Sequence, residues 1–265
     1  MAGLRGGGPE VIAVVGNLSR DLLPGQAPRV GGGPFHCARA LRRLDVEARI
    51  YARCAARDCD ELVPPVAALG TPVEYVHGHS TAVFAIAYDG DHREMRVESL
   101  GDEWAPDDVP ALPGAVSWVH VAPLLRSDFP GETLASLARG RRLSFDGQGL
   151  VRVPETGELR LDGAYDPELL RHVSMLKLND EEAEVLGDPS ALPVAEVVVT
   201  HGSRGATLYV DGAPEDVPAV ALGADPTGAG DAFSVAYVAA RSTGAGPPDA
   251  ARRATEIVAA VLGAA

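Results

Sequence analysis

Lysine is almost missing from this sequence. It occurs once, at Lys177, among 23 basic residues in a chain of 265. No Gly-Lys-Ser/Thr run exists, which excludes the Walker-type phosphate loop and leaves a single candidate for lysine-based covalent chemistry. Positive charge is scarce altogether, because 37 acidic residues bring the net charge to −14. A chain with that balance repels nucleic acid and anionic membranes, and its one local cluster, "ARALRRL", reads as the solvated face of a helix. Three cysteines, Cys37, Cys54 and Cys59, show no paired spacing, so a disulfide framework is excluded. With no recognisable signal peptide, they point to a reducing cytoplasm. No run of about 18 apolar residues occurs, so no membrane-spanning helix is expected.

What is present is ample core material, 46% of the chain being apolar. After a loose leader, "MAGLRGGGPE", apolar β-branched runs alternate with helical patterns. Strands are expected at 11–16, 48–53, 116–122, 142–146, 174–179 and 196–200, and helices at 35–44 and around 129–139, 166–173 and 180–186. A further helix over 59–69 is kinked or shortened by Pro64 and Pro65. Two adjacent helices, "GAGDAFSVAYVAARS" and "PPDAARRATEIVAAVLG", end the series. Repeated β–α–β order with strands apolar on both faces implies an α/β fold with a mainly parallel sheet. The stretch 81–101 breaks the rhythm with two alternating runs around "DGDH", a hairpin that stands apart as a lid. The reading is one domain, 1–265, with a small β lid from about 17–32 and 80–101.

Ligands of such sheets sit at the carboxyl ends of the strands. Polar residues gather at those ends: Asn17 and Asp21, the glycines 31–33, Asp146 and Gln148, Asn179 and Glu182, and Thr200 to Gly205. The stretch "DPTGAGD" (225–231) opens a helix, so the amides of Gly228, Ala229 and Gly230 face outward as anion donors. Its plainer reading is a glycine-rich turn with Asp231 as a favourable acid in the first helical turn. If the anion is a transferring phosphoryl group, Asp231 becomes the base for the acceptor hydroxyl. Asn179 and Glu182, three apart at a strand-to-helix junction, suit a Mg²⁺ hydration shell or phosphate, or simply a helix cap.

Taken in order, "GNLSRD", "GGGPFHCA", "NDEE", "VVVTHGSRG" and "DPTGAGDAF" resemble the ribokinase-like (PfkB) family of ATP-dependent carbohydrate kinases, over about 11–263. The resemblance implies a three-layer α/β/α fold. It makes Asp231 the catalytic base and Gly228, Ala229 and Gly230 the anion hole. Asn179, Glu182, Thr200, Gly202, Gly205 and Asp225 fall on the ATP and Mg²⁺ side, with no dedicated protein cage for the metal. Asn17, Asp21, Gly32, Gly33 and His36 fall on the substrate side, His36 standing where the family often has asparagine. "LSFDGQGLVRVPETGEL" is similar to a stretch of the myo-inositol kinase branch and adds Asp146, Gln148 and Arg152. The expected cofactors are ATP and Mg²⁺. A monovalent cation near Asp225 is the weakest of these, because the chain ends at "VLGAA" where many relatives continue. The expected activity is ATP-dependent phosphorylation of a polyol, cyclitol or sugar, by a monomer or a homodimer. A nucleoside kinase and a non-catalytic sugar-binding relative are the alternatives.

Overall fold

The computed structural model describes residues 11–89, 92–219 and 227–262, so Asp225 lies outside the described residues. The chain order is β1 (Val11–Asn17), β2 (Ser19–Leu22), β3 (Arg29–Gly31), α1 (Gly33–Leu41), β4 (Glu47–Ala55), α2 (Cys59–Ala67) and β5 (Val73–Gly78). Then come β6 (Ala82–Asp89), β7 (His92–Ser99), β8 (Val116–Ala122), α3 (Gly131–Leu137), β9 (Arg142–Asp146), α4 (Gln148–Val151) and β10 (Gly157–Glu158). The last third holds β11 (Met175–Asn179), α5 (Asp180–Leu186), β12 (Glu196–Thr200), β13 (Ala206–Val210), β14 (Ala213–Val217), α6 (Ala229–Ser242) and α7 (Pro247–Leu262).

Nine strands form one sheet in the order β14-β13-β12-β11-β9-β8-β1-β4-β5. The run from β12 to β5 is parallel, and β13 and β14 close one edge antiparallel. Strand β1 shows why three layers form. Ile12 and Val14 enter an apolar cluster with α1, α2, α6 and α7, whereas Val11, Ala13 and Val15 enter one with α3 and Leu176 of β11. All five side chains are essentially buried, and each Val or Ile among them contributes about 1.5–3 kcal/mol. A strand covered on both faces needs no polar alternation, which is why its run is continuous.

The lid is larger than the hairpin read from the sequence. Five strands make it, in the order β10-β7-β6-β2-β3, so residues 157–158 join the two segments anticipated. The apolar face of the lid, Phe84, Ile86 and Val97, packs on Leu124 and Leu125 just beyond β8. Asp58 holds the lid roots: its carboxylate accepts from Thr81 Oγ1 at 2.6 Å and pairs with Arg20 at 3.2 Å. Local differences are modest. Helix α1 starts two residues early because Pro34 fits its first turn, and 167–172 winds as a 3₁₀ rather than an α-helix. Helix α2 runs through Pro64 and Pro65 and stops at Ala67.

Candidate active site

The parallel strands set the site by register. Lys177 of β11 pairs directly with Asp146 of β9, and Asn179 pairs with Thr200 of β12. Side chains at paired positions share a face, so Lys177 Nζ reaches Asp146 Oδ2 at 3.3 Å, both residues being buried. Over this pair lies the start of α6. Gly228 takes the left-handed conformation (φ 82°), and the helix begins at Ala229 with Asp231 in its first turn. The first amides of a helix lack intrahelical acceptors and carry partial positive charge, so the amides of residues 228–230 could cradle an anion.

Gly228 is held to glycine by its left-handed φ and by His36, and Gly230 lies close over Lys177. A Cβ on Gly228 would stand 2.4 Å from His36 Nδ1, and one on Gly230 would stand 2.6 Å from Lys177 Nζ. A Cβ on Gly33 would lie 2.3 Å from that of Ala122 and 3.2 Å from Asp231 Oδ1. The start of α1 therefore meets the start of α6, with Asp231 at the junction. A cleft of about 990 Å³ opens here, walled by Asp146, Arg152, Lys177, Glu182, Gly230 and Asp231 among others.

Burial and charge set the protonation states. Burial pulls the Lys177 ammonium down, but Asp146, Glu182 and Asp231 outweigh it and hold its pKa above the ordinary lysine value. Burial raises the Glu182 carboxyl, with Lys177 opposing. Behind Asp231 lie Cys37 and His120, the ligand-type atoms of the three within 4.8 Å of one another. Burial pushes His120 down to about 4, so it is neutral, and pushes the Cys37 thiol well up.

Ten residues expected from the sequence line this cleft: Asp146, Gln148, Arg152, Asn179, Glu182, Thr200, Gly202, Gly228, Gly230 and Asp231. Several also have structural duties. Asn179 and Glu182 form a reciprocal capping box at 2.8 and 3.0 Å, so the cap reading is realised in the same residues that face the cleft. Gln148 Nε2 donates to Pro123 O at 2.6 Å, and Thr200 Oγ1 to Leu178 O at 3.1 Å. Ala229 opens α6, and His36 packs on Gly228.

Others stand off. Asn17 is spent on the frame, donating to Asp102 O at 2.9 Å and accepting from Trp104 Nε1 at 2.8 Å. Asp21 sits on lid strand β2 and accepts from Ser19 Oγ at 2.8 Å. Gly32 (φ 92°) lets α1 begin against Asn17 O, and Gly205 (φ 98°) closes the turn under Val217 O, outside the cleft lining. Three residues were missed as site members. Lys177 stands in the sequence only as a candidate for covalent chemistry, Cys37 only as an unpaired thiol, and His120 carries no sequence signal of its own. A strand such as "MLKLN" carries no signal for which neighbour its lysine meets.

The profile of the pfkB family carbohydrate kinases matches residues 71–264. Inositol 3-kinase of Zea mays is 31% identical over 208 residues, which cover 76% of this chain and 53% of that protein. The chain thus spans about half the length of the curated relatives it matches. Among solved structures, a pyrophosphate-dependent kinase of the ribokinase family, complexed with a pyrophosphate analog and myo-inositol, superposes with a TM-score of 0.82 at 23% identity. That match covers 95% of this chain and 94% of the other. A sulfate complex of a pyrophosphate-dependent kinase in that family superposes with a TM-score of 0.79, again at 23% identity and covering 95% of both chains. The expectation of ATP with Mg²⁺ as donor is corrected by these two solved structures, which are of pyrophosphate-dependent kinases. Physically, a diphosphate requires the anion cradle and its flanking charge but no pocket for a base. Sequence profile, sheet order and the glycine-lined helix start agree: the chain belongs to the pfkB family of carbohydrate kinases.

Proposed function

We propose that this protein is a phosphotransferase that moves a phosphoryl group from pyrophosphate to a hydroxyl of a cyclitol of the myo-inositol kind. The observation that carries the reading is the position of Asp231, which lies at the junction of the Gly33 helix start and the Gly228–Gly230 cradle. An acceptor hydroxyl held beside Gly33 gives its proton to Asp231 as its oxygen attacks the nearer phosphorus. The new O–P bond forms as the bridging P–O bond breaks, and inorganic phosphate leaves. The amides of residues 228–230 take the charge on the non-bridging oxygens. The cyclitol is supported by the inositol 3-kinase relative and the donor by the pyrophosphate-dependent structures. One domain, 1–265, carries the activity, with the lid covering the acceptor. The free state of Cys37, Cys54 and Cys59 supports a reducing compartment such as the cytoplasm.

The test supplies pyrophosphate with myo-inositol, other cyclitols, common sugars and nucleosides, with and without divalent salts, and follows phosphate esters by ³¹P NMR. A cyclitol ester formed at the expense of pyrophosphate is expected. Asp231→Asn should slow it roughly 10²–10⁴-fold. Turnover with ATP alone would sink the donor, a nucleoside as sole acceptor would sink the cyclitol, and an undiminished Asp231→Asn would sink the base.

A further inference from the structure

Twenty-two of the 23 basic residues are arginine, and the single lysine stands under the anion cradle. We propose that Lys177 contacts the phosphoryl group in transfer and neutralises its charge from below Gly230. This rests on the phosphotransferase reading above.

Three observations carry it. First, Lys177 is 6% exposed, yet it lines the cleft wall together with Gly228, Gly230 and Asp231. Second, its distances to Asp146, 3.3 and 3.5 Å, are long for a charge-assisted bond, which is normally about 2.7–2.9 Å. The ammonium is therefore not seated on its carboxylate but held between Asp146 and the glycine loop. An ammonium has three donors, so one remains for a ligand oxygen when both Asp146 oxygens are served. Third, the loop lies close over the ammonium. A Cβ at Gly230 would stand 2.6 Å from Nζ, so the bare backbone of Gly230 is what faces the lysine tip.

A counter-ion serving only Asp146, Glu182 and Asp231 is the competing account. The two differ in what pyrophosphate does to the lysine. Because the chain has one lysine, protein grown with ¹³C-lysine gives one Cε cross-peak, which belongs to Lys177. Titration of the wild-type protein with pyrophosphate should move that peak saturably, and an unmoved peak at saturating pyrophosphate overturns the proposal. In parallel, Lys177→Met should lower kcat about 100-fold, as loss of one transition-state donor does, while the acceptor KM changes less than about threefold. A folded Lys177→Met with kcat within about threefold of wild type also overturns it. Should no acceptor be phosphorylated by the wild type, the functional reading fails, whereas the peak still decides whether Lys177 meets pyrophosphate.

Discussion

Asp128 offers a test of the frame beneath the site. It follows β8, is 2% exposed, and its Oδ2 accepts the Leu124 N–H at 2.8 Å. Burial raises its pKa to about 7, against lowering by the Leu124 and Leu125 amides, Asn17 and Arg152. The folded value lies above the ordinary 3.8, so the folded state holds the proton that the unfolded chain has released. Stability from this group is complete below pH 3.8 and is lost as pH rises through 7. Each unit in that window costs nearly 1.4 kcal/mol, flattening above the folded value, so between pH 5 and 8 the loss is about 2.5 kcal/mol. Asp128→Asn stays neutral and keeps an oxygen for the Leu124 amide. Urea unfolding of both proteins at pH 5 and pH 8 should show the variant gaining about 2.5 kcal/mol on wild type across the interval. Parallel pH profiles for the two proteins would refute the reasoning, since other titrating groups are common to both.

Two further outcomes follow from packing. Gly228→Ala meets both a left-handed φ and His36, so turnover should fall at least about tenfold beyond a fold cost of 1–2 kcal/mol; adding His36→Ala should recover only the part due to contact, and a fully active Gly228→Ala would deny the cradle its tight fit. Arg241 pairs with Glu196 at 2.7 and 3.2 Å and lies over Trp118, while Tyr237 donates to the same carboxylate at 2.6 Å. Arg241→Met leaves that carboxylate buried and should cost about 3–5 kcal/mol in chemical denaturation, where a loss below 1 kcal/mol would contradict it.

The strands of the central sheet could be read from the chain because burial on both faces leaves unbroken apolar runs, as in Val11–Asn17. The cradle could be read because Gly228, Gly230 and Asp231 are neighbours in sequence. What escaped is non-local. Strand β10 is two residues long, and only its pairing with Arg96 and Val97 makes it a strand. The meeting of Gly33 with Asp231 joins distant helix starts, and no local pattern encodes it. Lys177 sits in an apolar strand, where its partner depends on the β9–β11 register. The donor expectation fails for a different reason. A nucleotide and pyrophosphate end in the same terminal phosphate, so glycines suited to one suit the other and do not discriminate.

That two-residue strand has a mechanical consequence. Gly157 and Glu158 pair with Val97 and Arg96, and the Leu159 N–H reaches Met95 O at 2.9 Å. The same stretch of chain leads back through residues 153–156 to Arg152, whose carbonyl accepts the Arg126 N–H at 3.1 Å. One short tether therefore links the lid edge to the cleft floor. Were the lid edge to lift, it would either unzip this seam, the shortest among the described strands, or pull on Arg152. The lid edge and Arg152 are thus joined by a few residues of chain, so a displacement of either would bear on the other.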